Sequence, residues 1–129
     1  MTVQFLDAES LKRVGASLHD ARFTRDGISV DAAEHSFSLF CWILDREHER
    51  VTRSKRASRW RRMRLAVHAV ESAQIEFKEQ HPYYVVGRIR YMRKTRSVNL
   101  ELHYGGSIAL RVSELKGFLE ETSESRVTW

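Results

Sequence analysis

The chain has a single cysteine, Cys41, which excludes an internal disulfide and a metal cluster built from cysteines. Cys41 sits between Phe40 and Trp42 in an apolar run with no evident base partner. It reads as a buried small hydrophobe and not as a nucleophile. No apolar stretch approaches the roughly 20 residues that span a bilayer, so no transmembrane segment is expected. The N-terminus, Met1-Thr2-Val3-Gln4, lacks the basic segment and apolar core of a signal peptide. These absences predict a cytoplasmic protein.

Recognisable chemistry is also missing. Six histidines, His19, His35, His48, His68, His81 and His103, are scattered without ligand spacing, which predicts no metal site. By strand parity His103 lies beside Glu101, and a surface pair is the expectation. Asp20 and Asp26 read as strand-end and turn residues and not as paired carboxylates. Gly105-Gly106 joins two strand patterns, without the helix and Lys-Ser/Thr of a phosphate loop. No ribonucleoprotein signature, helix-turn-helix spacing or zinc-finger pattern is present. The sequence therefore assigns no catalytic residue, cofactor or metal, although an active site assembled from distant residues leaves no mark on a single sequence.

What is present is periodicity. A helix is predicted from about Ala8 to Leu18, with Asp7 as its N-cap. Leu6 and Leu11 stand at the positions of a hydrophobic staple, and Leu11, Val14 and Leu18 form one apolar face. Alternation then takes over. Asp26-Gly27 signals a two-residue hairpin that would oppose Phe23 to Val30. A second reversal near Ala33-Glu34 sets Val30 opposite Phe37 and Ile28 opposite Leu39. The strand Ser36 to Leu44 becomes apolar on both faces from Leu39, which predicts a central strand or one covered by a helix on its second face.

Met63, Leu65, Val67 and Ala69 alternate as a further strand, and Ile75 with Phe77 as a weaker one. Around Pro82 the pattern fixes no register between Phe77 and Tyr83. A turn at Lys94-Thr95 aligns Tyr91 with Val98, Ile89 with Leu100 and Val85 with Tyr104. A three-residue loop, Tyr104-Gly105-Gly106, pairs Leu102 with Ile108 and Leu100 with Leu110, and keeps the faces unmixed. Ser113 can cap a short final helix carrying Leu115, Phe118 and Leu119, although Gly117 weakens it by about 1 kcal/mol relative to Ala.

The expected fold is α+β. It comprises an antiparallel meander of about seven strands, with an N-terminal helix and a short C-terminal helix. A bent sheet with helices on one face suits this pattern. So does a partly open barrel of pleckstrin-homology-like form, an analogy of fold alone. Residues 1–122 make one domain, with a basic loop over 45–58 and a frayed tail over 123–129.

Charge is unevenly placed. Nine of the nineteen residues from Arg46 to Arg64 are Arg or Lys, against Glu47 and Glu49. That segment carries +7 in a chain whose net charge is +5, so the remainder is slightly acidic. A long strand connection without apolar periodicity tends to be functional or disordered. The candidate binding residues are Arg53, Lys55, Arg56, Arg59, Trp60, Arg61, Arg62 and Arg64. Arg62 and Arg64 point outward, Arg88 and Arg90 share that parity on a later strand, and Arg93, Lys94 and Arg96 decorate its turn. One continuous cationic surface would result.

Such a surface suits an acidic protein partner or another polyanion, anionic lipid included. In a nucleic-acid reading the arginines neutralise phosphates while Trp60 stacks on an unpaired base. The plainer reading is a solvated strand face whose arginines protect an edge or pair with acids such as Glu76 and Glu101. An open strand edge would also allow self-association.

The stretch Leu6-Asp7-Ala8-Glu9, continuing to Leu11 and then Leu18-His19-Asp20-Ala21, resembles the start of a family of small bacterial proteins. That family is best populated among alphaproteobacteria and catalogued only as a domain of unknown function. The order agrees as well. A Phe37-Ser38-Leu39 strand leads to Trp42, an arginine cluster opens Leu65-Ala66-Val67, and Gly105-Gly106-Ser107-Ile108 forms a late hairpin. The resemblance implies no activity, cofactor or substrate, but it gives weight to the arginines from Arg59 to Arg64. The reading that follows is a non-enzymatic interaction module.

Overall fold

Asp7 starts the one helix among the residues described by the computed structural model, which are 2–45 and 59–126. Its carboxylate accepts from the Ser10 N–H at 2.7 Å, and Ser10 Oγ accepts in return from the Asp7 N–H at 3.2 Å. This reciprocal cap satisfies donors that the first turn leaves unpaired. Of the two expected staple residues, Leu11 is fully buried while Leu6 is 63% exposed; the Leu6 N–H also donates to Ser10 Oγ at 3.1 Å.

In chain order the elements are β1 (Thr2–Phe5), α1 (Ala8–Leu18), β2 (Arg22–Phe23), β3 (Ile28–Asp31), β4 (Ser36–Leu44) and β5 (Trp60–Val67). They continue with β6 (Val70–Glu76), β7 (Tyr84–Met92), β8 (Ser97–Leu102), β9 (Ser107–Val112) and β10 (Gly117–Arg126). All pairings are antiparallel, and the lateral order is β1-β10-β5-β4-β2-β7-β8-β9-β6, with β3 also beside β4. The two end strands do not meet, so the sheet is unclosed. Among the described residues there are ten strands where about seven were expected, and the order is a meander only within β3–β5 and β7–β9. No helix of the described residues is long and apolar enough to cross a membrane.

The expected C-terminal helix is replaced by β10. Leu115, Phe118 and Leu119 satisfy a helical spacing, but pairing on both sides decides the conformation. Gly117 lies between Phe5 of β1 and Val67 of β5, where a Cβ would overlap the Ala66 carbonyl oxygen and the Phe5 ring. The tail expected to fray from Ser123 instead continues β10 as far as Arg126.

The reversal near Ala33-Glu34 has the predicted register, Ile28 opposite Leu39 and Val30 opposite Phe37. Asp26-Gly27 does not make a hairpin. Arg25–Gly27 is a single 3-10 turn, and β2 and β3 both pair with β4 instead of with each other. Gly27 serves close approach, since a Cβ there would lie 2.6 Å from the Phe40 carbonyl oxygen.

Tyr91 opposes Val98 and Ile89 opposes Leu100 as predicted, but a bulge between Val86 and Arg88 breaks the pairing of Val85 with Tyr104. In the next hairpin Leu100 opposes Ile108 and Val98 opposes Leu110. That is two residues from the predicted register, so the faces survive while the loop lengthens through three residues of positive φ, Tyr104, Gly105 and Gly106.

Phe5, Phe23, Phe37, Leu39, Leu65, Leu100, Ile108 and Leu110 are fully buried in one core. Leu11, Val14 and Leu18 of α1 join them, each burial contributing roughly 1.5–3 kcal/mol. Gly15 lets the helix approach Ile89 of β7, where a Cβ would stand 3.2 Å away.

Candidate functional site

Arg53, Lys55 and Arg56 lie outside the described residues. The other five predicted positions, Arg59 and Trp60, Arg61, Arg62 and Arg64, are brought together at the start of β5. Their partners come from β10. Antiparallel pairing sets Glu120 opposite Arg64 and Glu121 opposite Met63, and a bulge then carries the chain to Ser125 opposite Arg61. Arg61 Nη1 donates to both Glu121 oxygens, at 3.1 and 3.3 Å. Arg62 donates to Glu124 at 2.8 Å, and Arg64 to Glu120 at 3.1 Å and Ser38 Oγ at 3.2 Å.

The same guanidiniums lie over rings. Arg62 is 4.4 Å from the Phe40 centroid and Arg64 is 5.4 Å from that of Phe118. Arg126 is 5.5 Å from the Trp42 ring. β4 is indeed central, and the second apolar face seen in its sequence is covered by arginines and not by a helix. Arginine suits this position because its flat guanidinium is weakly hydrated and stacks while its edge donates hydrogen bonds.

Trp60 is only 8% exposed, and the Arg22 guanidinium lies 4.7 Å from its ring. It is not the open stacking platform that the nucleic-acid reading required. The expected cationic continuity is interrupted as well. Val112 donates to the Arg96 carbonyl and pairs with Val70, just beyond the Val67 end of β5. The Arg93–Arg96 turn thus lies at the opposite end of β5 from Trp60, about 23 Å along the strand. Arg90 pairs with Glu101 at 2.8 Å, as the plainer reading of these charges proposed for that acid.

A second cluster had no signal in the sequence. Asp20, just beyond α1, has φ +69, in the left-handed region. His19 Nδ1 lies 3.3 Å from Asp20 Oδ2, and His103 Nε2 lies 3.0 Å from Asp20 Oδ1. The two imidazoles meet edge to face with centroids 5.6 Å apart. His103 therefore faces Asp20, and not the Glu101 that parity suggested. Asp20 lines two cavities, one of about 490 Å³ shared with Arg22, Tyr83, His103 and Tyr104 and one of about 480 Å³ shared with His19, Asp45 and Arg61. Elsewhere, burial pushes the Cys41 thiol up to about 12, in keeping with an inert core residue.

No family model, curated protein or solved structure matches the chain.

Proposed function

We propose that the chain is a non-catalytic interaction module that binds an acidic protein partner through the basic segment leading into β5. The observation supporting this most directly is the way β10 lies on β5. Glu120, Glu121 and Glu124 of an extended strand are each received by an arginine. The chain's own acidic strand illustrates the ligand chemistry these guanidiniums accept. The nine basic residues from Arg46 to Arg64 outnumber those three acids together with Glu47 and Glu49. Among the described residues no acidic side chain pairs with Arg59, which stands exposed one residue before β5. A carboxylate-bearing partner fits better than single-stranded nucleic acid, because Trp60 is covered by Arg22. Membership of the bacterial family that the sequence resembles belongs to the same proposal, and so does self-association through the edges of β1 and β6.

The test uses the full chain and a decaglutamate peptide as probe, with mixed-sequence single-stranded RNA and DNA alongside. Tryptophan fluorescence or calorimetry follows binding across a salt series. The variant replaces Arg53, Lys55, Arg56 and Arg59 with Ser and leaves the arginines paired to β10 intact. The expected result is peptide binding that weakens with salt and is lost in the variant. Absence of peptide binding at low salt would end the proposal, and tighter binding of RNA or DNA would replace it with the nucleic-acid reading.

A further inference from the structure

We propose that His19, Asp20 and His103 form a binding site for one divalent transition-metal ion of the zinc class. This inference is independent of the basic surface. Two imidazole nitrogens and a carboxylate make the donor set that zinc, cobalt and nickel accept and that calcium and magnesium do not favour.

The three donor atoms lie within 4.8 Å of one another. A tetrahedral ion with bonds of about 2.1 Å holds its ligands roughly 3.4 Å apart. Asp20 Oδ2 lies 3.3 Å from His19 Nδ1 and Asp20 Oδ1 lies 3.0 Å from His103 Nε2, so each imidazole is about one such edge from an oxygen of the same carboxylate. Three protein ligands leave a position for water, and the side chains are 57%, 55% and 40% exposed in the order His19, Asp20, His103. An ion can therefore enter and leave.

The backbone holds this arrangement before any ion arrives. Asp20 N–H donates to the Val86 carbonyl and His103 N–H donates to the Val85 carbonyl, both at 2.9 Å. Residues 83 positions apart in sequence thus hang from consecutive carbonyls of β7. The bulge next to them places Gly87 where a Cβ would crowd the Glu101 carbonyl at 3.0 Å and lie in ordinary contact with the His103 ring at 3.5 Å. The glycine lets β7 and β8 approach closely beside the imidazole. His19 is also the C-cap of α1, and the partial negative charge at that helix end favours a cation.

The test titrates the untagged full chain with Co2+, reading the ligand-field absorption, and then displaces Co2+ with Zn2+. One ion per chain is expected. Asp20→Asn tolerates the left-handed backbone and should weaken binding at least about tenfold, as should His103→Gln. His81→Gln should bind as wild type does. A measurement on wild type alone guards against misfolded variants. Under substoichiometric Co2+ the imidazole resonances of His19 and His103 should be the first to broaden. No saturable binding, unchanged affinity in Asp20→Asn and His103→Gln, or first broadening at another histidine would each overturn the site.

Discussion

The Arg62 guanidinium rests 4.4 Å from the centre of the Phe40 ring while its Nη1 donates to Glu124 at 2.8 Å. One side chain thereby ties β4, β5 and β10 together. Among the described residues its Nε finds no acceptor, so stacking and the ion pair to Glu124 carry the contact. A stacked cation contributes about 0.5–1 kcal/mol at a partly exposed site, and an ion pair of this exposure up to about 1 kcal/mol. Arg62→Ala should lower stability by about 1–2 kcal/mol in urea unfolding. Arg62→Lys should recover only part of that, because an ammonium keeps the charge without the planar stack. An alanine variant within about 0.5 kcal/mol of wild type, the ordinary range of a surface substitution, would show that the stack contributes nothing.

Gly117 predicts a larger loss. Its neighbours are a backbone carbonyl, that of Ala66, and the fully buried Phe5 ring, and neither can swing aside. Gly117→Ala should cost about 2–3 kcal/mol from overpacking and loosen β1 first. Amide exchange would then quicken over Thr2–Phe5. A helix in this segment would give the opposite sign, since Ala exceeds Gly by about 1 kcal/mol in helices. Measured stabilisation would therefore contradict the strand assignment.

The same glycine marks the limit of what could be read from the chain. Registers set by a turn and clean alternation were legible, such as Ile28 against Leu39 and Tyr91 against Val98, because a slip by one would turn every side chain to the wrong face. Slips of two, as in Leu100 against Ile108, preserve the faces and so leave no trace in the pattern. Gly27, Gly87 and Gly117 each admit a neighbouring group that only the fold supplies. The arginines of β5 were visible as charge, but Glu120, Glu121 and Glu124 became their partners only once β10 proved to be a strand. The approach of His103 to Asp20 depends on a left-handed residue and a bulge, neither of which has a periodicity to detect.

Asp7 makes the acid limb of stability informative. The Ser10 backbone N–H, followed by the Ser10 side chain, holds its carboxyl below the ordinary 3.8. A depressed carboxylate stabilises the fold above its unfolded value, and that contribution is lost as pH falls through the lower folded value. Asp7→Asn keeps a cap acceptor but cannot titrate, so its stability should fall less than that of wild type below pH 3.8. Asp7→Ala should be weaker at neutral pH as well. Parallel acid limbs for wild type and Asp7→Asn would remove the cap from the account.

Cys41 governs the alkaline side in the opposite sense. Burial raises its thiol from the ordinary 9.0 to about 12, because the thiolate would lie in the core beside Met63 without a countercharge. Below pH 9.0 the thiol is neutral in the folded and unfolded chain alike, and its contribution is fully present. Between pH 9.0 and about 12 the unfolded chain releases a proton that the folded chain retains, so stability declines as pH rises. Lysine and tyrosine titrate in the same range, so the measurement is the difference between wild type and Cys41→Ala. That difference should shift against wild type from pH 9.0 upward. A thiol-specific reagent at pH 8 should modify Cys41 only at the rate at which the chain opens, and rapid modification of the folded protein would show that the thiol is not buried. A difference that stayed flat through pH 11 would show that the thiol ionises as readily in the folded chain as in the unfolded one.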